Sequence, residues 1–162
     1  MKTLFLGVAL TFALSSSTAA ADDNSIVGTW KVQSLVREVA ATGERQNELG
    51  EKPNGYISYQ PNGRMFVVLV SDNRANPTGT PPTDEDKVRL FGTLVAYSGT
   101  YVVEGDKVTH KIDVSWNQSW TGGDQVRFFK VDGTTLTITT AINKNPRVGR
   151  EGRAVLVFTK AP

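Results

Sequence analysis

The chain has 162 residues, with 18 basic and 16 acidic side chains and no cysteine. That is enough for one domain with a sizeable core and not for two. The near-balance of charge argues against nucleic acid or an anionic membrane as partner, and the lack of cysteine removes thiolate chemistry, disulfides and zinc–cysteine sites.

Residues 1–21 have the layout of a cleavable export signal: basic Lys2, an apolar run Leu4–Leu14, and small residues from Ser15 ending Ala19-Ala20-Ala21. The apolar run is too short to cross a bilayer as a helix, which takes roughly 20 residues. The expected division is a signal over 1–21 and a single domain over 22–162, in the periplasm or secreted.

Eight strand-like runs follow: Ile26–Glu38, Gly55–Gln60, Arg64–Val70, Thr93–Glu104, Lys107–Trp116, Asp124–Val131, Thr134–Thr140 and Arg153–Thr159. The second and third are joined by Pro61-Asn62-Gly63, the fourth and fifth around Gly105-Asp106, the sixth and seventh by Asp132-Gly133. Gly, Asn and Asp supply the positive φ of a tight reversal, so these are hairpins. The other four links are long. In an antiparallel meander alternate connections lie at opposite ends, so the tight turns close one end and the long loops decorate the other. The expected fold is all-β, an eight-stranded antiparallel up-and-down barrel shaped as a cup.

In the first run, Gly28 lets the chain turn into the barrel and Trp30 supplies a plug for the closed end. Alternation from Trp30 puts Val32, Ser34 and Val36 with it on the inner face, and Lys31, Gln33, Leu35 and Arg37 outside. The second and third runs are apolar on both faces, since Met65, Val67 and Leu69 alternate with Phe66, Val68 and Val70. Their outer face is expected to lie under a helix or a neighbouring chain, in a homodimer. Ser71–Pro82 reads as a lid loop. One helix is expected between the third and fourth strands: Thr83 caps it, Asp84, Glu85 and Asp86 load its first turn, and Val88, Leu90 and Phe91 precede Gly92.

The turn at Gly105-Asp106 pairs odd positions of the fourth strand with even positions of the fifth, so Val103 shares a face with Val108, Tyr101 with His110 and Gly99 with Ile112. Val108, Ile112, Val114 and Trp116 are apolar and define the inner face, which places His110, the one histidine, inside beside Tyr101. At Asp132-Gly133, inward Leu136 and Ile138 bring Gln125, Arg127 and Phe129 inward; a three-residue loop would instead turn Val126 and Phe128 inside. Trp116 and Trp120 flank the fifth-to-sixth loop at the mouth. Lys144, Arg147, Arg150 and Arg153 give a solvated loop or a weak attractor for anions.

Several segments together resemble the lipocalin-like domain family of bacteria and fungi: Gly28-Thr29-Trp30-Lys31-Val32, Gly55-Tyr56-Ile57-Ser58-Tyr59, Pro61-Asn62-Gly63-Arg64-Met65, Tyr97-Ser98-Gly99-Thr100-Tyr101, Val108-Thr109-His110 and Gln125-Val126-Arg127-Phe128-Phe129. The resemblance covers nearly all of the chain after the leader and implies an eight-stranded barrel with an interior cavity. Two departures from the wider lipocalins bear on the base: there is no Thr-Asp-Tyr motif, and no C-terminal helix before Pro162. Lys160 stands where a terminal arginine would cover the first-strand tryptophan, so a differently built base is expected.

A lone His110, with no second histidine or cysteine and no His-x-Glu pattern, does not make a metal site, and no cofactor motif is visible. Arg127 inside a barrel requires a carboxylate, a carbonyl cluster or an anionic guest; the inner faces offer no obvious carboxylate, and Glu38, Glu44 and Glu48 near the mouth are the ones that could reach it. The candidate ligand-binding residues are Tyr59, Tyr97, Tyr101, His110, Trp116, Arg127 and Phe129, with Gly28 and Trp30 structural. Three readings follow. The first is a binder of a small, largely apolar molecule with an acidic or carbonyl group. The second is a cofactor-free isomerase, cyclase or hydratase using His110 and Tyr101 as its acid–base pair. The third is a barrel filled by its own side chains, acting as a structural or interaction module.

Overall fold

Among the described residues, alternating apolar and polar positions, punctuated by turn-forming glycines, resolve into ten strands, one α-helix and a short 3-10 turn at Gln118–Trp120: β1 (Gly28–Val39), β2 (Arg45–Asn47), β3 (Asn54–Tyr59), β4 (Arg64–Val70), α1 (Asp84–Gly92), β5 (Leu94–Glu104), β6 (Lys107–Ser115), β7 (Asp124–Asp132), β8 (Thr135–Thr140), β9 (Asn143–Lys144) and β10 (Glu151–Lys160). The computed structural model describes residues 26–144 and 149–162. The expected export signal and Arg147 of the basic loop lie outside them.

The sheet runs β2-β1-β3-β4-β5-β6-β7-β8-β10-β9, and β1 also pairs with β10, which closes the barrel. Every pairing is antiparallel. The eight long strands are the expected ones; β2 and β9 are short additions in the mouth loops. The helix lies between the third and fourth long strands, as expected. Its start is a reciprocal cap: the Asp86 backbone N–H donates to the Thr83 hydroxyl, and the Asp86 carboxylate accepts from the Thr83 N–H. The same carboxylate accepts from the Thr78 N–H and hydroxyl and pairs with Arg89, so the loop before α1 is tied to the helix. The Thr78 N–H first, then Arg89, hold Asp86 well below the usual carboxylate range.

Two bulges correct the expected facing. In β1, Val32 is opposite Phe158 but Ser34 is opposite Val157, so Gln33 is an extra residue. An extra residue reverses the facing of everything beyond it. Leu35 and Arg37, expected outside, are therefore buried, Arg37 at 4 % exposure, and Val36 is not on the inner face. In the β5–β6 pair, Ser98 faces Val114 and Gly99 faces Ile112, which makes Asp113 the extra residue. Val114, expected inside, is 58 % exposed. Gly99 permits this crossing, because a Cβ there would stand 1.9 Å from the Lys111 carbonyl oxygen.

At the closed end Trp30 is 1 % exposed, and its Nε1–H donates to the Ile26 carbonyl at 2.8 Å. Lys160 Nζ sits 4.3 Å from the Trp30 ring centroid and donates to the Val27 carbonyl. The lysine thus covers the tryptophan as a cation over an aromatic face, and the base is not left open by the absence of an arginine. Gly28 passes beneath the lysine at φ +130°, and a Cβ there would meet Lys160 Nζ at 2.5 Å. The outer face of β3 and β4 is not under the helix: Tyr56, Phe66 and Val68 are exposed.

Candidate functional site

The long loops and the upper halves of the strands enclose a cavity of about 290 Å³. Its wall is built mainly from apolar inward residues of nearly every strand, among them Leu35, Ile57, Val67, Val95, Ile138 and Leu156. Polar groups break this wall in two places. At the mouth, Arg37 Nε donates to Glu48 Oε1 at 2.7 Å, while its terminal nitrogens reach the Asn143 carbonyl and side-chain oxygen at 3.3 Å. Deeper, Tyr97, His110, Gln125 and Arg127 share the wall.

The deeper group follows from register. The two-residue link between Asp132 and Thr135 puts Gln125, Arg127 and Phe129 on the inner side of β7, leaving Val126 and Phe128 exposed. Arg127 opposes Val108 and Gln125 opposes His110 across β6–β7. The Arg127 guanidinium donates to the Val126 carbonyl at 2.9 Å and to Gln125 Oε1 at 3.0 Å. Among the described residues it has no carboxylate partner.

His110 is 1 % exposed, and both ring nitrogens are engaged: Nε2 with the Tyr59 hydroxyl at 2.8 Å and Nδ1 with the Tyr97 hydroxyl at 3.0 Å. Burial first, and the Arg127 charge second, lower its pKa to about 3, so the ring is neutral at ordinary pH. Burial likewise pushes the Tyr97 hydroxyl up, with Arg127 opposing it. Tyr59 is raised well above its usual value, again by burial first.

Four of the candidate residues therefore line the cavity: Tyr97, His110, Trp116 and Arg127. Tyr59 lies behind His110 rather than on the wall. Tyr101 and Phe129 are elsewhere. Tyr101 is directly opposite His110 in the sheet, but its hydroxyl donates to the Gln60 carbonyl at 3.0 Å, toward the closed end, and its ring meets Tyr59 edge-on. The expected His110–Tyr101 pair is thus replaced by Tyr59–His110–Tyr97. Phe129 is packed in the core.

At the rim Trp116 and Trp120 meet edge to face with centroids 4.9 Å apart; Phe91 of α1 lies 6.1 Å from Trp116, and Tyr97 5.8 Å from Trp120. Sequence reading missed Arg37 as a wall residue, because the bulge at Gln33 was not visible; Glu48, expected near the mouth, is there and pairs with Arg37. The signal was present in Leu35, an apolar residue left on a face of Lys31, Gln33 and Arg37. No cluster of three or more histidine, aspartate or glutamate side chains suited to a metal lies among the described residues. No helix among them is long and apolar enough to cross a membrane.

A family model described as "Lipocalin-like domain" matches residues 27–161. No curated protein matches the chain. Among solved structures, the chain is similar to a lipocalin-like protein from Bacteroides uniformis, with 12 % identity, TM-score 0.46, and 85 % of this chain and 99 % of that one covered. It is also similar to an uncharacterized protein from Bacteroides eggerthii, with 13 % identity, TM-score 0.42, and 84 % and 99 % covered.

Proposed function

We propose that this chain, which belongs to the lipocalin-like domain family, binds a small, largely apolar molecule carrying an acidic or carbonyl group inside its barrel. The observation that carries this reading is Arg127, a guanidinium on an otherwise mostly apolar wall, with no carboxylate to pair with among the described residues. Arg37 and Glu48 offset each other at the mouth, and Lys144 adds a further cation to the lining. The excess of positive charge favours an anion. A volume of about 290 Å³ falls just short of the roughly 300–1,000 Å³ usual for small-molecule sites, which suits a guest as small as a short acyl chain or a single ring. An acid–base enzyme finds less support, because both nitrogens of His110 are occupied by tyrosines and Tyr101 faces away.

Calorimetry with octanoate, octanol and octylammonium tests this. Octanoate is expected to bind best. Arg127→Met, which keeps volume and removes the charge, is expected to weaken octanoate by about 1.5–3 kcal/mol, the range for a hydrogen bond to a charged group, while apo stability stays level or rises. An Arg127→Met protein that unfolds while its folded fraction binds octanoate like wild type would make Arg127 a structural residue and remove the basis for the reading.

Export belongs to the same proposal. Cleavage near Ala21 would release a chain beginning near Asp22 into the periplasm, and intact mass of exported protein would show residues 1–21 missing. We also propose that the exposed Tyr56, Phe66 and Val68 on β3 and β4 pair two copies of the chain. Sedimentation that stays monomeric at all concentrations, or is unaltered by Phe66→Lys, would discard the dimer.

A further inference from the structure

The proton on His110 can be placed from the burial of Tyr59. Tyr59 is 1 % exposed and does not line the cavity. Among the described residues its hydroxyl has one hydrogen-bond partner, His110 Nε2. A buried O–H that donates to nothing leaves its desolvation uncompensated. Tyr59 therefore donates, and Nε2 is the acceptor. A neutral imidazole carries one N–H, so the proton is on Nδ1. Nδ1–H then donates to the Tyr97 oxygen 3.0 Å away. Having accepted from His110, Tyr97 keeps its own O–H for another partner, and Tyr97 lines the cavity. The opposite order, with Nε2–H donating to Tyr59, would leave the Tyr59 proton without an acceptor among the described residues.

We propose that Tyr59 and His110 fix the Tyr97 hydroxyl as a hydrogen-bond donor into the cavity, and that Tyr97 and Arg127 together make the deep polar end select an acceptor-only headgroup, a carboxylate. The inference rests on the ligand-binding reading above and names its headgroup. Arg127 contributes because its guanidinium carries five N–H groups: it donates to the Val126 carbonyl and Gln125 and lies within hydrogen-bonding reach of the Tyr97 oxygen, which leaves N–H groups for a guest. The neutrality of His110 and the protonated state of Tyr97 agree with this order: burial disfavours the charged form of both rings. Tyr97 is a contact residue for the guest; Tyr59 and His110 are positioning residues, acting through it. The cavity wall at this point offers a carboxylate two kinds of donor, whereas an ammonium meets the guanidinium charge and one acceptor, Gln125 Oε1, which already accepts from Arg127. An alcohol, which also donates, would compete with Arg127 for that same oxygen.

The test reads proton order and selectivity separately. Long-range proton–nitrogen correlation on ¹⁵N-labelled protein near neutral pH reports one imidazole, because the chain has one histidine. The expected spectrum has the proton on Nδ1, against the preference of a free neutral histidine for Nε2. Tyr59→Phe, which keeps the ring and lies outside the cavity wall, is expected to lose that single tautomer and to narrow the preference for octanoate over octanol. Tyr97→Phe is expected to weaken octanoate about tenfold or more and octanol much less. A wild-type proton on Nε2, or an octanoate affinity unchanged in Tyr97→Phe, overturns the proposal. Failure of the wild type to bind any of the three probes, with the proton on Nδ1, overturns the ligand reading and the selectivity drawn from it, and leaves the proton order standing.

Discussion

A neutral imidazole between two tyrosine hydroxyls makes His110 a pH-dependent element of stability. Its folded pKa is lowered to about 3 from the ordinary 6.5, so between these values the unfolded chain binds a proton that the folded chain refuses. Stability rises with pH wherever the unfolded state holds more protons. The His110 contribution is therefore complete above pH 6.5 and is lost as pH falls toward 3, with a size on the order of a few kcal/mol. Urea midpoints measured from pH 7 down to pH 4 are expected to fall in wild type and to fall much less in His110→Gln; parallel curves for the two proteins would mean that His110 does not titrate in this way. Because Arg127 is the second cause of the lowered pKa, Arg127→Met should move the His110 titration upward, readable in the same proton–nitrogen spectra. That His110 and Arg127 face inward was legible in the sequence, since tight turns of known length lock the register of their hairpins. Their partners were less legible. Tyr59 reaches His110 from a strand joined to β6 only through β4 and β5, a geometry that hairpin pairing alone does not describe.

At the scale of elements, turn chemistry and helix capping are written in a few adjacent residues, and both were legible: Asn62-Gly63, Gly105 and Gly133 mark the hairpins, and Thr83 with Asp86 marks the helix start. The bulges were not. One extra residue in a strand changes no composition and breaks the alternation only beyond it, which is why Leu35 and Arg37 were assigned to the outside and Val114 to the inside. Gly99 shows what a bulge requires of its partner strand. Gly99→Ala would drive a methyl group into the Lys111 carbonyl, and backbone cannot yield as a flexible side-chain tip does. A loss of about 1–3 kcal/mol is expected, typical of an overpacked interior, and a denaturant midpoint equal to wild type would show that the β5–β6 crossing is looser than described. The base is argued in the same way. Trp30 fills it under Lys160 and is bonded to Ile26, so Trp30→Ala should cost about 3–5 kcal/mol, as large core truncations do; a midpoint within error of wild type would mean that Trp30 is not the plug.

The described residues form one closed sheet with a short helix beside its mouth, and the cavity wall draws on β1, β3, β4, β5, β6, β7, β8, β9 and β10. A guest that touches all of these has no single loop to stabilise. Its binding energy is lost when any part of the barrel opens, so it should act on global unfolding and not on a local transition. Binding to the folded state alone stabilises it by mass action, by about 2.7 kcal/mol at a hundred times Kd. For a domain of this size that corresponds to a rise in Tm of roughly 5–10 °C. Octanoate at that excess is expected to shift a single calorimetric transition upward by this amount in wild type, and by much less in Arg127→Met and Tyr97→Phe at the same concentration. The alternative, a guest held only by the rim of Trp116, Trp120 and Phe91, predicts otherwise for the variants: the two deep variants would shift as far as wild type, and Trp116→Ala would lose the shift. Scanning calorimetry of these four proteins, with and without octanoate, separates a ligand inside the cup from one at its lip.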